Sequence, residues 1–436
     1  MGVALNANQI TGWKIYERIA VRSFLIFAVI TFIPFNPDFY KQDFNAGFSV
    51  TDYPWRWLDV VSQNTPWFFE GQEGHNYWGW FITLGITFLA GIIWELLDKR
   101  RANFDHIYNC FFTVVRYQIV LRMSWFAIAK FFPVQMPFPT ISQLNTNLGD
   151  FTPGKLYWLT TGVSPFFEVF AGIFELTATV LLLFRRTTTL GALMMIAILL
   201  PIWFVNIGYN AGVELASMHL LVLSVALLIR DLPRFWHILV QQKNVALTYV
   251  RPFVFTVGWK RTGSLLLKVA FIFLFLVYRG YEYGKLYAAG KTFKLPLENG
   301  IKSFTGYYNV EEFRLNGRVI PYSPDDTVRW QNVIFEKFNT ISIKVAKPFA
   351  LNTQNKIRTT EYYGNVGRFF YGYEADTTKQ ILVLKNRADT AVKLSLNYSR
   401  PFSGGFILRG TNGNKDSVYV VLKKINKTYP LAISRN

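Results

Sequence analysis

Residues 77–97 read YWGWFITLGITFLAGIIWELL, with Glu95 as the single charged side chain. At ~1.5 Å per residue such a run crosses the ~30 Å hydrocarbon core of a bilayer. Six more stretches share this character, near Glu17–Phe35, Tyr108–Phe131, Ser164–Phe184, Leu190–Ile207, Val213–Ile229 and Ser264–Tyr281. The first has no small-residue cleavage site behind it and exceeds a signal-peptide core, so it reads as retained. Composition points the same way. Of 436 residues 51% are hydrophobic and only 17% charged, with a mean hydropathy of +0.20, whereas soluble domains carry about 25% charged residues. The sequence therefore predicts a polytopic membrane protein with an all-α bundle of about seven spans. A single cysteine, Cys110, excludes a disulfide framework, a cysteine-cluster metal site and a dithiol centre. No metal site is expected.

Basic residues set the expected orientation. Lys14 and Arg18 precede the first span, Lys99, Arg100 and Arg101 follow the second, and Arg185 and Arg186 follow the fourth. Arg230, Arg234, Lys243, Arg251, Lys260 and Arg261 lie between the sixth and seventh. The alternate loops are poor in Lys and Arg: Lys41 and Arg56, then Lys155, then none. The pattern predicts a cytoplasmic N-terminus in a bacterial inner membrane and a periplasmic C-terminal region. It also accounts for part of the +19 net charge as a topology signal, and no nucleic-acid partner is expected.

From residue 286 onward the pattern changes to short mixed β-branched and aromatic segments. These are Tyr307–Leu315, Val328–Phe335, Ile341–Val345, Ile381–Leu384, Val392–Tyr398 and Val418–Lys423, separated by turn signals such as Asn316-Gly317 and Thr411–Asn414. The expected organisation is a helical bundle over 1–285 and an all-β sandwich or barrel-like domain over 286–436. The latter holds 23 basic and 11 acidic side chains, a net +12. Such a domain is either simply solvated or suited to an anionic envelope partner.

Ionisable groups at mid-membrane cost at least ~2.5–3.5 kcal/mol each on insertion scales and often mark function. Counting along the helices puts Arg122, Glu175 and His219 at one depth on three spans, with Lys130, Glu168 and Glu214 in a layer nearer the periplasm. Glu168 and Glu175 share a helix face with Gly172 between them, and Asn206 and Asn210 end the fifth span at the outer level. The expectation is a polar cavity in the outer half of the bundle. Two readings of the charges stand together: structural pairs Arg122–Glu175 and Lys130–Glu168, or a reactive site. In the second, Arg122 and Lys130 stabilise a reduced anion, Glu175 and His219 relay protons, and Gln135, Glu168, Asn206 and Glu214 bind substrate. The aromatic loop Pro54–Phe69 and the FFPVQMPFP run, Phe131–Pro139, serve as interfacial anchors or as a lid with Gln135 facing the cavity. Arg22 and Glu95 fall at one depth near the cytoplasmic surface and read as a structural pair.

No phosphate-cradling glycine loop, HExxH or nucleophile elbow occurs. His75, His106, His219 and His237 are the four histidines, and one of them alone is intramembrane, which disfavours bis-histidine haem ligation. Redox chemistry would need a dissolved carrier or a partner subunit.

Arg122 followed by Lys130, the element Gly172-Ile173-Phe174-Glu175-Leu176, and the run LLLFRRTTTLGAL at Leu181–Leu193 resemble the DoxX-like family of bacterial inner-membrane proteins over Tyr117–Phe235. Tyr307–Pro321 with Asp325–Trp330 resembles the start of the periplasmic β-domain that Bacteroidetes-type members add. The family includes a subunit of thiosulfate:quinone oxidoreductase, so the resemblance implies a quinone or another small lipophilic ligand as partner within the bilayer. A looser resemblance to vitamin K-dependent carboxylase-like membrane enzymes implies a base lysine, for which Lys130 is the candidate. Two functional readings follow: a quinone-linked oxidoreductase component, and a non-catalytic membrane anchor presenting the basic β-domain.

Overall fold

The computed structural model of the chain describes residues 13–33, 77–98, 104–245, 255–347 and 366–433, except 293, 388, 390, 402 and 403. The loop Pro54–Phe69, His75, Lys41, Arg56, Lys99–Arg101 and Arg251 lie outside the described residues. Two compact units are present, one from 1–132 and 169–285, the other from 133–168 and 286–436.

The first unit is helical: α1 (Ile15–Phe32), α2 (Tyr77–Leu97) and α3 (Phe104–Phe131) come first. Two short helices of the second unit, α4 (Ile141–Leu144) and α5 (Pro153–Val163), precede α6 (Pro165–Leu182). Then follow α7 (Thr188–Tyr209), α8 (Glu214–Leu227), α9 (Leu232–Val240) and α10 (Gly258–Ala288). A helix thus stands at each of the seven apolar stretches. Four of these segments, α2, α6, α7 with its preceding turn, and α10, are long and apolar enough to cross a membrane, or five if the pair α8 and α9, bent by 77°, is one span. The expected count of seven is therefore not reached by length and apolarity. The physical reason is charge: α1 carries Glu17, Arg18 and Arg22, and α3 carries Asp105, Arg116, Arg122 and Lys130. These charged helices are nonetheless central to packing. Eighteen residues of α3 are buried, including Ile119, Val120, Met123 and Ala127.

Outward-facing apolar side chains are abundant on α2, such as Trp78, Ile82, Ile86, Leu89 and Ile93. This is the inverse of a soluble helix and fits a hydrocarbon solvent. Gly91 on α2 sits against the backbone of α1 at Ile19 and Ser23, where a Cβ would collide, so this small residue sets the close crossing.

The second unit contains an eight-stranded antiparallel β-barrel. Its strands are β1 (Gly306–Leu315), β3 (Asn332–Phe335), β4 (Thr340–Lys344), β5 (Arg368–Asp376), β6 (Ile381–Asn386), β7 (Lys393–Ser399), β8 (Gly405–Thr411) and β9 (Ser417–Ile425). Each pairs with the next, and β1 pairs with β9 to close the ring. The two-residue arm β2 (Arg318–Val319) folds back on β1 across Asn316-Gly317, whose positive φ values of 49° and 78° form the tight hairpin. Closure through β1 and β9 removes the edges those two strands would otherwise expose. Strand alternation sends Tyr308, Phe313, Phe335, Tyr373, Tyr398 and Phe406 into the interior. Phe335 is fully buried and meets the rings of Phe304, Tyr308, Tyr373 and Phe406. Side chains fill this barrel, as its small strand number requires.

β3 and β4 depart from alternation, being buried on both faces apart from Lys344. Val333, Phe335, Ile341 and Ile343 belong to the interior cluster, while Asn332, Thr340 and Ser342 are buried on the opposite side. The covering material there is segment 133–168. Replacing Phe335 with Ala should cost about 3–5 kcal/mol. The check is a denaturant titration of the detergent-purified chain followed by barrel tryptophan emission from Trp330.

Candidate functional site

Charges in the helical unit are drawn into bonds between helices. In the last turn of α3 the Lys130 ammonium donates to both Glu175 oxygens on α6, at 2.6 and 2.9 Å. Both side chains are buried, Glu175 at 1% exposure. Gly172, one turn before Glu175, permits this meeting, because a Cβ there would strike the backbone at Lys130 and Phe131. The expected pairs Arg122–Glu175 and Lys130–Glu168 are therefore corrected. The glycine contact brings Lys130 to Glu175 in place of Arg122, which lies eight positions or ~12 Å earlier on α3. Glu168 accepts the backbone N–H groups of Gln135 and Met136 at 3.2 and 3.0 Å. It braces the chain just after α3 and does not serve the Lys130 ammonium. Gln135 is buried, and its Oε1 has no hydrogen-bond partner among the described residues.

Arg122 and His219 enter a second cluster drawn from four helices. Arg122 donates to the Thr31 carbonyl on α1 at 3.2 Å, and Gln118 donates to the Thr31 hydroxyl at 3.4 Å. On α8, His219 Nδ1 accepts the Trp80 indole N–H of α2 at 3.2 Å. An indole N–H only donates, so Nδ1 carries no proton and the neutral ring holds its proton on Nε2. Phe27, one turn before Thr31 on α1, packs on the imidazole at 5.3 Å. The structure thus brings Arg122 and His219 to successive turns of α1 and directs Glu175 elsewhere. Trp80 and Gln118 were not among the sequence candidates. Trp80 reads as an interfacial anchor within an apolar run, whereas Gln118, four positions before Arg122 on one helix face, was the available signal.

The remaining candidates are engaged locally. Asn206 donates to the Ile202 carbonyl at 2.7 Å and accepts from Val213 N–H at 3.3 Å, tying the end of α7 to the start of α8. Glu214 opens α8 and is half-buried. The arrangement found for these groups is direct bonding to neighbouring side chains and backbone groups. A cavity of about 460 Å³ lies between α1 and α2, and it is apolar, lined by Ala20, Ser23, Phe24, Phe81, Leu84, Gly85 and Phe88. Further along α1, Arg22 pairs with Glu95, as expected, and also with Asp98. Arg18 reaches Glu95 at 2.7 Å, and Arg230 reaches Glu17 at 2.8 Å.

A third polar cluster, invisible in the sequence, fastens segment 133–168 to the barrel. Thr140 and Gln143 form a reciprocal capping box at the start of α4. The Glu336 carboxylate then takes the next two amides, Ile141 N–H at 3.2 Å and Ser142 N–H at 2.7 Å, together with the Ser142 hydroxyl at 2.5 Å. The Ser142 and Ser342 hydroxyls lie 2.6 Å apart, and Arg368 donates to Ser342 Oγ at 2.9 Å and Asn332 Oδ1 at 2.7 Å. Burial pushes the Arg368 guanidinium down to about 10, against the opposing pull of Glu336, so it stays charged at neutral pH. Lys427 and Tyr429 both contact the Asn145 side chain, at 2.8 and 2.7 Å. Val366 N–H donates to the Asp150 carbonyl at 2.9 Å.

Apolar helices of membrane-crossing length together with a filled eight-stranded barrel define an integral membrane protein with a β-barrel domain. Over 137 residues the chain is 32% identical to Uncharacterized protein YwoB of Bacillus subtilis (strain 168), covering 86% of that protein and 29% of this chain. Through that portion the chain belongs to the same family as YwoB. No protein-family model matches the chain, and no solved structure does.

If the Lys130–Glu175 pair is a lock between helices, Lys130→Met alone leaves a buried carboxylate without its cation and costs about 3–5 kcal/mol. The double variant Lys130→Met/Glu175→Leu should recover most of that loss. Thermal unfolding of the three proteins in one detergent gives the comparison.

Proposed function

We propose that the protein is a DoxX-like, seven-span anchor in a bacterial inner membrane, of the Bacteroidetes type, that holds a basic β-barrel on the periplasmic side for an anionic envelope partner. The observation that carries this reading is the engagement of Lys130 by Glu175 and of Glu168 by two backbone amides, which commits these groups to holding the chain together. Chain connectivity supports it. Three covalent connections, at 132/133, 168/169 and 285/286, join the two units, where a simple tail anchor would have one. The net +12 from residue 286 onward favours an anionic partner through long-range attraction. Exposed Lys379, Lys393, Arg409 and Lys415 contribute to that charge. Charge alternation between the loops supports a cytoplasmic N-terminus.

A second reading, a quinone-linked oxidoreductase component, is favoured by the Trp80–His219 bond with Arg122 beside it. Phe27, which packs on both rings, lies one turn from the Ser23 and Phe24 wall of the apolar cavity. A lipophilic tail suits that wall, and a neutral imidazole suits acceptance of a proton from a quinol headgroup.

One set of variants separates the readings. On the anchor reading, Lys379→Glu/Lys393→Glu/Arg409→Glu weakens salt-sensitive binding of the purified chain to lipopolysaccharide-containing vesicles, while His219→Ala and Glu175→Gln leave it unchanged. Quinone-dependent turnover or co-purified quinone, lost in His219→Ala, would instead establish the redox reading.

A further inference from the structure

Away from the clusters above, three cations from different parts of the helical unit gather around the turn joining α6 to α7. Arg116 projects from α3, with its guanidinium 5.5 Å from the Phe112 ring centre and 5.3 Å from that of Tyr117. Arg185, in the turn itself, lies 5.6 Å from the same Phe112 ring. Lys268 of α10 sits 4.5 Å from the ring of Phe184. A Tyr117–Phe271 contact at 5.1 Å closes α3 onto α10 at this level.

Neutral groups hold these cations in place, Arg185 donating to Oδ1 of the buried Asn109 on α3. Arg116 acts repulsively on Lys268, and Arg185 on Arg116. Among the described residues no carboxylate stands within ion-pair distance of any of the three. Asp231, beside this turn, accepts from the Thr189 hydroxyl at 2.9 Å and pairs with none of the three. Arg116 is 7% exposed and donates to the Thr188 hydroxyl at 3.3 Å, while its Nε has no acceptor. Thr188 is the first residue of the 22-residue helix α7, whose N-terminal amides add positive potential at the same point.

Like charges collected at the end of apolar helices call for an anion. We propose that Arg116, Arg185 and Lys268, with the N-terminus of α7, bind the headgroup phosphate of an anionic phospholipid in the leaflet at this end of the bundle. Basic recesses between membrane helices on the cytoplasmic side take such headgroups, and on the orientation proposed above this turn lies on that side. The surroundings select a lipid over a free ion. Phe184 of the turn, Leu190 of α7 and Leu267 of α10 point outward beside the cations, at 49%, 55% and 74% exposure, so acyl chains have an apolar surface to lie against.

The test is native mass spectrometry of the detergent-purified full chain, titrated separately with phosphatidylglycerol, phosphatidylcholine and inorganic phosphate. Phosphatidylglycerol should be retained in preference to phosphatidylcholine, and millimolar phosphate should not displace it. Lys268 is half-buried and Arg185 exposed, so Lys268→Gln leaves the core intact, and Arg185→Gln keeps a side-chain amide able to donate to Asn109. Each should weaken phosphatidylglycerol retention about five-fold, whereas Lys393→Gln on the barrel should not. Equal retention of the two lipids, or unchanged retention in both variants, would overturn the site. Displacement by phosphate would overturn its assignment to a lipid.

Discussion

An ion in hydrocarbon is tolerated only when another group meets it, and that constraint organises the helical unit. Lys130 with Glu175 joins α3 to α6, Arg22 with Glu95 joins α1 to α2, and Arg230 with Glu17 returns the chain after α8 to α1. Each pair bridges elements distant in sequence. Apolar packing alone would leave helix partners weakly specified in lipid, because lipid tails are as apolar as leucine. The pairs supply the missing selectivity, although their net contribution to stability is modest once desolvation is counted.

Small residues decide which charges meet. Gly172 lets α6 touch the backbone of α3 at Lys130 and Phe131, and the ion pair forms one turn away. Gly91 performs the same service between α1 and α2, one turn from Glu95. A larger side chain at either site would push the helices apart and lengthen the ionic contact, so the glycine and the pair form one device.

The barrel places its chemistry outside. Aromatic rings fill its interior, and the buried outer face of β3 and β4 is occupied by segment 133–168 through Glu336, Ser142, Ser342 and Arg368. What the barrel offers a partner is therefore its remaining basic exterior. Because the bound segment is the connection between α3 and α6 in the chain, the barrel is held through the middle of the sequence as well as through its end.

Much of the fold was legible because it rests on local patterns. Runs such as Tyr77–Leu97 announce themselves by length, and the Asn316-Gly317 hairpin by residues that accept positive φ. Two strands, Arg368–Asp376 and Gly405–Thr411, escaped notice because Gly372, Gly404 and Gly410 interrupt the alternation that marks a strand. The pairing of charges was not legible. Counting residues from a midplane assumes helices aligned at their centres, and the Gly172 contact sets a different register for α3 and α6. The fastening of 133–168 was equally hidden, since Ser142 and Glu336 are 194 positions apart and neither carries a motif. By itself the sequence determined which segments are apolar, where turns fall and which residues are charged, since these depend on neighbours in the chain. The tertiary structure alone decided which ion meets which, because that depends on how closely two backbones approach in space.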